Sequence, residues 1–366
     1  MRFDIAVFPG DGVGPEVTQE AVETLGVIGE KYGHKFDLSY ASVGGEAIDR
    51  YGTALPSAAL DIARKANAVF FGAVGGPQWD NPAASVRPED AILGLRRHLR
   101  LFANLRPIKI YPSLIHGSPL KPQILEKVDL VVIRELTGGL YFGRPKRRWS
   151  TSRGQRAIDT MKYTEQEIRR ILQVGFELAR SRRGHLTSVD KANVLETSRL
   201  WRQLALEVAK DYPDVLIEHM LVDTAAMQLV SNPSRFDVIV TENLFGDILT
   251  DEAAVLTGSM GMLPSASLAG VPRIAKVGQR TKGLYEPIHG SAPDIAGQGK
   301  ANPIAAILST AFLLRYSLGL DAEAISVEKA VDQVLADGCR TLDISDKGSP
   351  VLTTKEMGNA IRMNIH

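Results

Sequence analysis

The sequence predicts an α/β fold with largely parallel strand pairing, and three observations lead there. Short runs rich in β-branched apolar residues alternate with longer amphipathic segments. Polar and charged residues collect at the carboxyl ends of those runs, where open α/β sheets bind ligands. Of 366 residues, 44% are hydrophobic and 23% charged, an ordinary balance for a globular enzyme of about two or three domains.

The first run, "IAVF" (5–8), leads into "PGDGVGPEV" (9–17), a turn followed by a helix start. Pro15 sits in that helix's first turn, a favoured place for proline. Gly10, Gly12 and Gly14 follow G-x-G-x-G rather than G-x-G-x-x-G. The next strand-like run, "FDLSYAS" (36–42), ends without the acidic residue that a ribose needs. Nucleotide binding and a plain tight turn both stay open there. "AVFFGAV" (68–74) is the second strong run.

"LGLRRHLRLFANLRP" (93–107) supplies Arg96, Arg97, Arg100 and Arg106. Arg96 and Arg100 share a face if the segment is helical. "LVVIR" (130–134) closes an apolar strand with Arg134. Converging guanidinium groups suit a small di- or tri-anionic acid. In "ELTGGLYFGR" (135–144), Tyr141 is a general acid or a packed aromatic. Gly138 and Gly139 before it let the backbone approach a ligand. "RPKRRWSTSRGQR" (144–156) is read as a solvated loop or protruding arm. The net charge of +1 gives no general attraction for nucleic acid or an anionic membrane.

Two amphipathic helices are predicted at 164–182 and 196–212, around the run "LTSVD" (186–190). Lys191 follows that run and can act as a base if neighbouring cations or desolvation lower its pKa. "VLIEHMLVD" (215–223) ends at Asp223 and "DVIVTE" (237–242) at Glu242. In "TENLFGDILTDE" (241–252), Asp247 and Asp251 stand one helical turn apart, where like charges repel. With Asp223 they offer three hard oxygen ligands, which suits Mg2+ or Mn2+. The alternative makes Asp247 an N-cap or first-turn residue that complements the helix dipole.

"GLYEPIHGSAPDIAGQGKANP" (283–303) is a glycine-rich loop. Gly290, Ser291, Gly297 and Gly299 would let amides approach phosphate, and Asp294 would accept from ribose hydroxyls; a purely structural loop is the alternative. "IAAILSTAFLLRYSLGL" (304–320) carries Arg315 and reads as a buried core or interface helix, not a membrane span. The single cysteine, Cys339, excludes an internal disulfide and fits a reducing cytoplasm. "MRFDIAVFPGDG" lacks the long apolar core of a signal peptide.

"FPGDGVGPEV", "LFANLRP", "ELTGGLYFG", "NLFGDILTDE", "GSMGMLPSASL" and "HGSAPDIAGQGKANP" together resemble the metal-dependent decarboxylating dehydrogenases of 2-hydroxy acids, the isocitrate/isopropylmalate dehydrogenase family. The likeness runs through "LLRYSLGL" and covers more than four-fifths of the chain. It implies a two-domain α/β fold that is not a Rossmann fold, with a mixed sheet and helices on both faces. The first domain is expected at 1–101 and 258–366, and the second at 102–257. The arm after Tyr141 is expected to help form a homodimer.

The resemblance implies that Arg96, Arg106 and Arg134 hold substrate carboxylates, that Tyr141 donates a proton and that Lys191 is the base. Lys191 and Asp223 are expected to cross the dimer interface, so that Asp223 completes the partner's metal site with Asp247 and Asp251. Glu286, His289, Gly290, Ser291, Ala292, Asp294, Ile295 and Asn302 are expected to bind the cofactor. The Asp294-Ile295 pair points to NAD, because a carboxylate there repels a 2′-phosphate. "EDAILGLR" (89–96) supplies Glu89, Ile92 and Leu93 beside the substrate, and Val194 adds a wall from the other subunit. An apolar lining suits 3-isopropylmalate and leaves a third carboxylate of isocitrate unpaired, which is costly. Dehydrogenases of tartrate, malate or another 3-substituted malate, and a non-catalytic dicarboxylate and metal binder, are the alternatives.

Overall fold

The computed structural model describes residues 1–81, 84–272, 281–346 and 348–366. In chain order its first elements are β1 (Arg2–Gly10), α1 (Gly14–Tyr32), β2 (Lys35–Tyr40), α2 (Gly45–Tyr51), α3 (Ser57–Lys65), β3 (Ala68–Ala73) and α4 (Asp90–His98). The middle runs through β4 (Ala103–Lys109), α5 (Pro122–Leu125), β5 (Asp129–Glu135), β6 (Arg147–Thr151), β7 (Gly154–Ile158), α6 (Glu165–Arg180), β8 (His185–Asp190) and α7 (Glu196–Val208). Then come β9 (Leu216–Leu221), α8 (Val222–Ser231), β10 (Val238–Thr241), α9 (Asn243–Ala254), β11 (Pro264–Leu268) and β12 (Gly283–Pro287). The chain closes with α10 (Ile304–Phe312), α11 (Asp321–Ala336) and α12 (Thr354–Met363).

One sheet runs β2-β1-β3-β12-β11-β4-β5-β10-β8-β9. Pairing is parallel from β2 to β12 and again from β5 to β9. Between them, β12–β11, β11–β4 and β4–β5 are antiparallel. The expected mixed sheet is therefore parallel at both flanks with an antiparallel seam. Strands from both chain ends fill one flank, and strands from the middle fill the other. The basic stretch folds as the hairpin β6–β7, with most of its residues exposed. The apolar helix α10 is buried throughout, as a core helix should be.

Alternation of side chains along each strand locates the site. On one face Phe3, Ile5, Phe70, Leu105, Ile133, Val240, Ala266 and Tyr285 join one continuous core under α1, α6, α10 and α11. On the other face there are two cores. One gathers Ala6, Phe8, Val69 and Leu284 with α3 and α4. The second gathers Leu130, Val132 and Ile239 with α8 and α9. Between them, on the seam strands, the same face carries Asn104, Arg106, Ser265 and Ser267. Polar residues thus break the apolar cover where the two halves meet.

Candidate active site

Helix α9 is set by its cap. The Glu242 carboxylate accepts from the amides of Phe245 (2.7 Å) and Leu244 (3.1 Å). Asp247 is therefore neither the N-cap nor a first-turn residue, and that alternative fails because Glu242 already holds the open amides. Asp247 and Asp251 share one face, and their repulsion is relieved by arginine. Arg134 donates to Asp247 Oδ1, and Tyr141 Oη donates to Asp247 Oδ2 at 2.5 Å. Arg106 Nη1 reaches Asp251 Oδ1 at 3.3 Å and Thr250 Oγ1 at 2.9 Å. Gly246 allows this approach, since a Cβ there would lie 2.7 Å from Arg134 Cγ.

Arg96 comes from α4, Arg106 from β4 and Arg134 from the end of β5. Their charges feel one another. Burial lowers the Arg106 pKa, and Arg134 and Arg96 lower it further. Burial also lowers that of Arg134, partly offset by Asp247, with Arg96 adding repulsion. Arg96 Nη2 is paired with Glu286 Oε1 at 2.9 Å. Arg100 does not share a face with Arg96. Helix α4 ends at His98, and Arg100 turns out of it with φ of 56°.

Asn104 and Asn243 hold these guanidinium groups, and sequence reasoning passed over both. Asn104 Oδ1 accepts from Arg106 Nε at 3.0 Å, while its Nδ2 donates to Ser265 Oγ at 2.8 Å and Ser267 Oγ at 3.2 Å. Asn243 Oδ1 accepts from Arg134 Nε at 2.9 Å, and its Nδ2 reaches the Gly138 carbonyl at 3.2 Å. The i, i+2 spacing of Asn104 and Arg106 was the available signal for the first. For Asn243 it was the position just before an apolar helical run.

Tyr141 lies in a short 3-10 turn, Gly139–Tyr141. Gly138 and Gly139 answer to packing. They let the backbone lie against Tyr163, whose ring Cε1 would be 2.4 Å from a Cβ on Gly138. Buried Glu135 fixes the same loop by accepting from the amides of Thr137 and Gly138, each at 2.8 Å. Burial pushes the Tyr141 hydroxyl pKa up, and the bond to Asp247 pushes it further. The Arg134 guanidinium carbon stands 5.5 Å from the centre of the Tyr141 ring.

Lys191 follows β8 and its ammonium pairs with Asp223 Oδ1. Asp223 stands in the first turn of α8 rather than at a strand end. The hydrogen bond from Lys191 holds its carboxyl below the usual carboxylate range. Among the described residues, no group of three His, Cys, Asp or Glu gathers to hold a metal within one chain. Val194 is 61% exposed.

Helix α4 points Ile92 and Arg96 into a cavity of about 150 Å³ that Arg106, Glu286, His289 and Gly290 also line. Glu89 and Leu93 line an adjoining cleft of about 650 Å³ with Trp79, Gly290 and Ser291. Gly290 touches both. A separate cleft of about 410 Å³ is lined by Lys109, Arg182 and Arg315, whose charges pair with Asp332, Asp129 and Glu328.

On the loop after β12, His289 Nε2 is buried without a partner among the described residues, and burial lowers the ring's pKa. Ala292 takes φ of 38°. Asp294 is exposed and Ile295 half-buried. Asn302 is buried, with Oδ1 accepting from Ile304 N (3.0 Å) and Nδ2 donating to Asp343 (3.0 Å). The amides of Gly297 and Gly299 do not face open solvent for a phosphate. Both donate to the carboxylate of Glu16.

Residues 4–361 match the family described as isocitrate/isopropylmalate dehydrogenase. The chain is 57% identical over 362 residues to a 3-isopropylmalate dehydrogenase of Dehalococcoides mccartyi, covering 99% of this chain and 98% of that one. It is 55% identical over 361 residues to a 3-isopropylmalate dehydrogenase of Anaeromyxobacter dehalogenans, covering 99% of each. Among solved structures it resembles the isocitrate dehydrogenase of Methylococcus capsulatus, with a TM-score of 0.84, 34% identity and 99% of each chain covered. It also resembles a beta-decarboxylating dehydrogenase of Thermococcus kodakarensis, with a TM-score of 0.78 and 34% identity over 99% of this chain and 96% of that one.

Proposed function

The chain belongs to the isocitrate/isopropylmalate dehydrogenase family, and we propose that it oxidises and decarboxylates 3-isopropylmalate with NAD, a step of leucine biosynthesis. The products are 4-methyl-2-oxopentanoate, carbon dioxide and NADH. One observation carries the choice of substrate: apolar Ile92 shares a cavity with Arg96 and Arg106. That cavity offers cations to a malate's two carboxylates and a hydrocarbon wall to its branched substituent. The names of the relatives at 57% and 55% identity support the same choice.

The residues suit both groups that the reaction requires. Asp247 and Asp251 present hard oxygens on one face of α9, and Asp223 stays ionised beside Lys191. Asp247, Asp251 and the Asp223 of a second copy would hold Mg2+ or Mn2+. For NAD, His289 has an unpartnered buried nitrogen and Gly290 has open space around it. Asp294, which is exposed, would accept from a ribose hydroxyl. When bound, NAD supplies the hydride acceptor and the cation supplies Lewis acidity.

Arg96, Arg106 and Arg134 clamp the two carboxylates, trading their present pairing with Glu286, Asp251 and Asp247 for the substrate's. Lys191, once its ammonium proton has passed to water or to the neighbouring Asp223, takes the hydroxyl proton as the hydride leaves carbon 2. The bond from carbon 3 to its carboxyl group then breaks, and its electrons remain as an enolate. Tyr141, held by Asp247, delivers its proton to carbon 3. Val194, Lys191 and Asp223 serve the partner's site in a homodimer. Exposed Met227 and Val230 on α8 and Ile248 on α9 give that pairing an apolar surface. The same reading divides the chain into 1–101 with 258–366, and 102–257. Among the described residues no helix is long and apolar enough to cross a membrane. We place the enzyme in the cytoplasm on its one free cysteine, Cys339.

The test follows NADH formation with 3-isopropylmalate, isocitrate, tartrate and malate, each with and without chelator. Fastest turnover of 3-isopropylmalate, abolished by chelator, is the expected result. Isocitrate turned over as well as 3-isopropylmalate would overturn the role given to Ile92. Activity that survives chelation would overturn the metal reading.

A further inference from the structure

The glycine motif that opens the chain takes no part in the chemistry above, yet its bonds converge on the cofactor loop. Asp11 is buried, and its carboxylate accepts from Gly45 N (2.8 Å), Gly75 N (2.9 Å) and Glu46 N (3.0 Å). It therefore ties the end of β1 to the start of α2 and the end of β3. Gly12 packs so close to the far loop that a Cβ there would sit 2.0 Å from the Ser291 carbonyl oxygen. Val13 N donates to that same oxygen at 2.8 Å. One turn on, Glu16 Oε1 accepts from Gly297 N, and Oε2 accepts from Gly299 N at 3.0 Å.

Glu16 sits in the first turn of α1. A carboxylate there commonly interacts with its own helix terminus. This one reaches backbone amides 281 and 283 residues downstream. Gly297 and Gly299 adopt φ of 73° and 64°, left-handed values that turn both N–H groups toward one acceptor. The loop is thus gripped at Ser291 and again at 297–299. The residues between, Ala292 to Ala296, include Asp294 and Ile295.

We propose that the N-terminal glycine motif is a clasp for the cofactor loop, with Glu16 a positioning residue that sets the affinity for NAD. It touches no reacting atom. Its carboxylate holds the loop in its binding geometry before the dinucleotide arrives, so binding does not have to order the loop. This rests on reading residues 289–302 as the cofactor loop.

Glu16→Ala and Glu16→Gln are to be compared with the intact protein by calorimetric titration with NADH, by hydrogen exchange of residues 291–300 without cofactor, and by steady-state kinetics. Glu16→Ala is expected to bind NADH about tenfold more weakly, the scale of a lost charge-assisted hydrogen bond. Its loop amides should exchange faster, while kcat and the KM for 3-isopropylmalate stay within about twofold. Glu16→Gln, which keeps one carbonyl acceptor, should fall between. Gly299→Ala strains the left-handed residue in open space and should weaken NADH without touching α1. NADH affinity unchanged in folded Glu16→Ala overturns the clasp. So does a uniform loss of all kinetic constants with a lower Tm and no change in loop exchange. Failure of the unaltered protein to bind NADH removes the cofactor reading itself, and the clasp with it.

Discussion

Tyr141 has its hydroxyl on Asp247 and its ring beside Arg134. A proton donor must still hold its proton at the working pH. Burial and the Asp247 carboxylate both move this phenol above its ordinary value of about 10. The acid form therefore persists to higher pH than in an exposed tyrosine. Subtracting the tyrosinate absorbance titration of Tyr141→Phe from that of the unaltered protein should isolate one tyrosine ionising above about pH 10. A difference transition below that pH would remove Tyr141 from its role. In kinetics, Tyr141→Phe should lower kcat by about 10²–10⁴-fold, the usual scale for a lost general acid, with little change in the KM for 3-isopropylmalate. A kcat within threefold of the original would reassign the proton to another group.

At the scale of the element, helix α9 hangs on one carboxylate. Glu242→Ala removes the acceptor for two amides and a contact with Tyr163 Oη at 3.3 Å. A lost cap costs roughly 0.5–2 kcal/mol, readable in a denaturant titration; an unchanged midpoint would deny the cap any weight. Burial pushes the Glu242 carboxyl above the usual range. A carboxyl raised in the fold contributes stability that is fully present below its unfolded value and is lost as pH rises through its folded value. The unaltered protein should therefore lose stability relative to Glu242→Gln as pH climbs above about 4.3, the ordinary glutamate value. A constant difference across that range would refute the shift.

The elements differed in how plainly they could be read. Strands β1, β3, β5, β8 and β10 are flanked by turns and carry long β-branched or apolar runs, so local composition sufficed. Strands β4, β11 and β12 read "ANLRPIK", "PSASL" and "GLYEP". Arginine, serine, glycine and proline hide their extended state, which comes from neighbours on both sides in the middle of the sheet. For the same reason Asp247, Asp251, Arg106 and Arg134 could each be singled out, but not their mutual pairing. That depends on β4 lying beside β5 under α9. Glu242 was legible as a strand end but not as a cap, because glutamate is not a favoured cap residue.

At the scale of the molecule, the proposed homodimer makes each site from two chains. Lys191→Ala and Asp247→Asn would each disable every site in their own dimers. Mixed and re-equilibrated one to one, half of the dimers are hybrids, each with one site intact and one doubly defective. About a quarter of full activity should return if the sites are shared across a two-fold interface. No recovery, with hybrids shown by mass spectrometry, would confine the site to one chain.

The sheet order has a consequence for the order of synthesis. Strand β3 ends at Ala73, and its neighbour β12 begins only at Gly283. On a ribosome adding about 5–20 residues per second, β1, β2 and β3 wait on the order of 10–40 s for the strand that covers their open edge. Strands β4, β5, β8, β9 and β10 are contiguous in synthesis and can assemble first. Stalled nascent chains whose emerged part ends near residue 270 should therefore protect 102–257 from protease while 1–101 is still cut. Equal protection of both would mean that the amino-terminal strands fold without β12. Slow elongation through 1–101 would then offer no advantage, whereas in the expected case a chaperone has its longest work on the protein's first hundred residues.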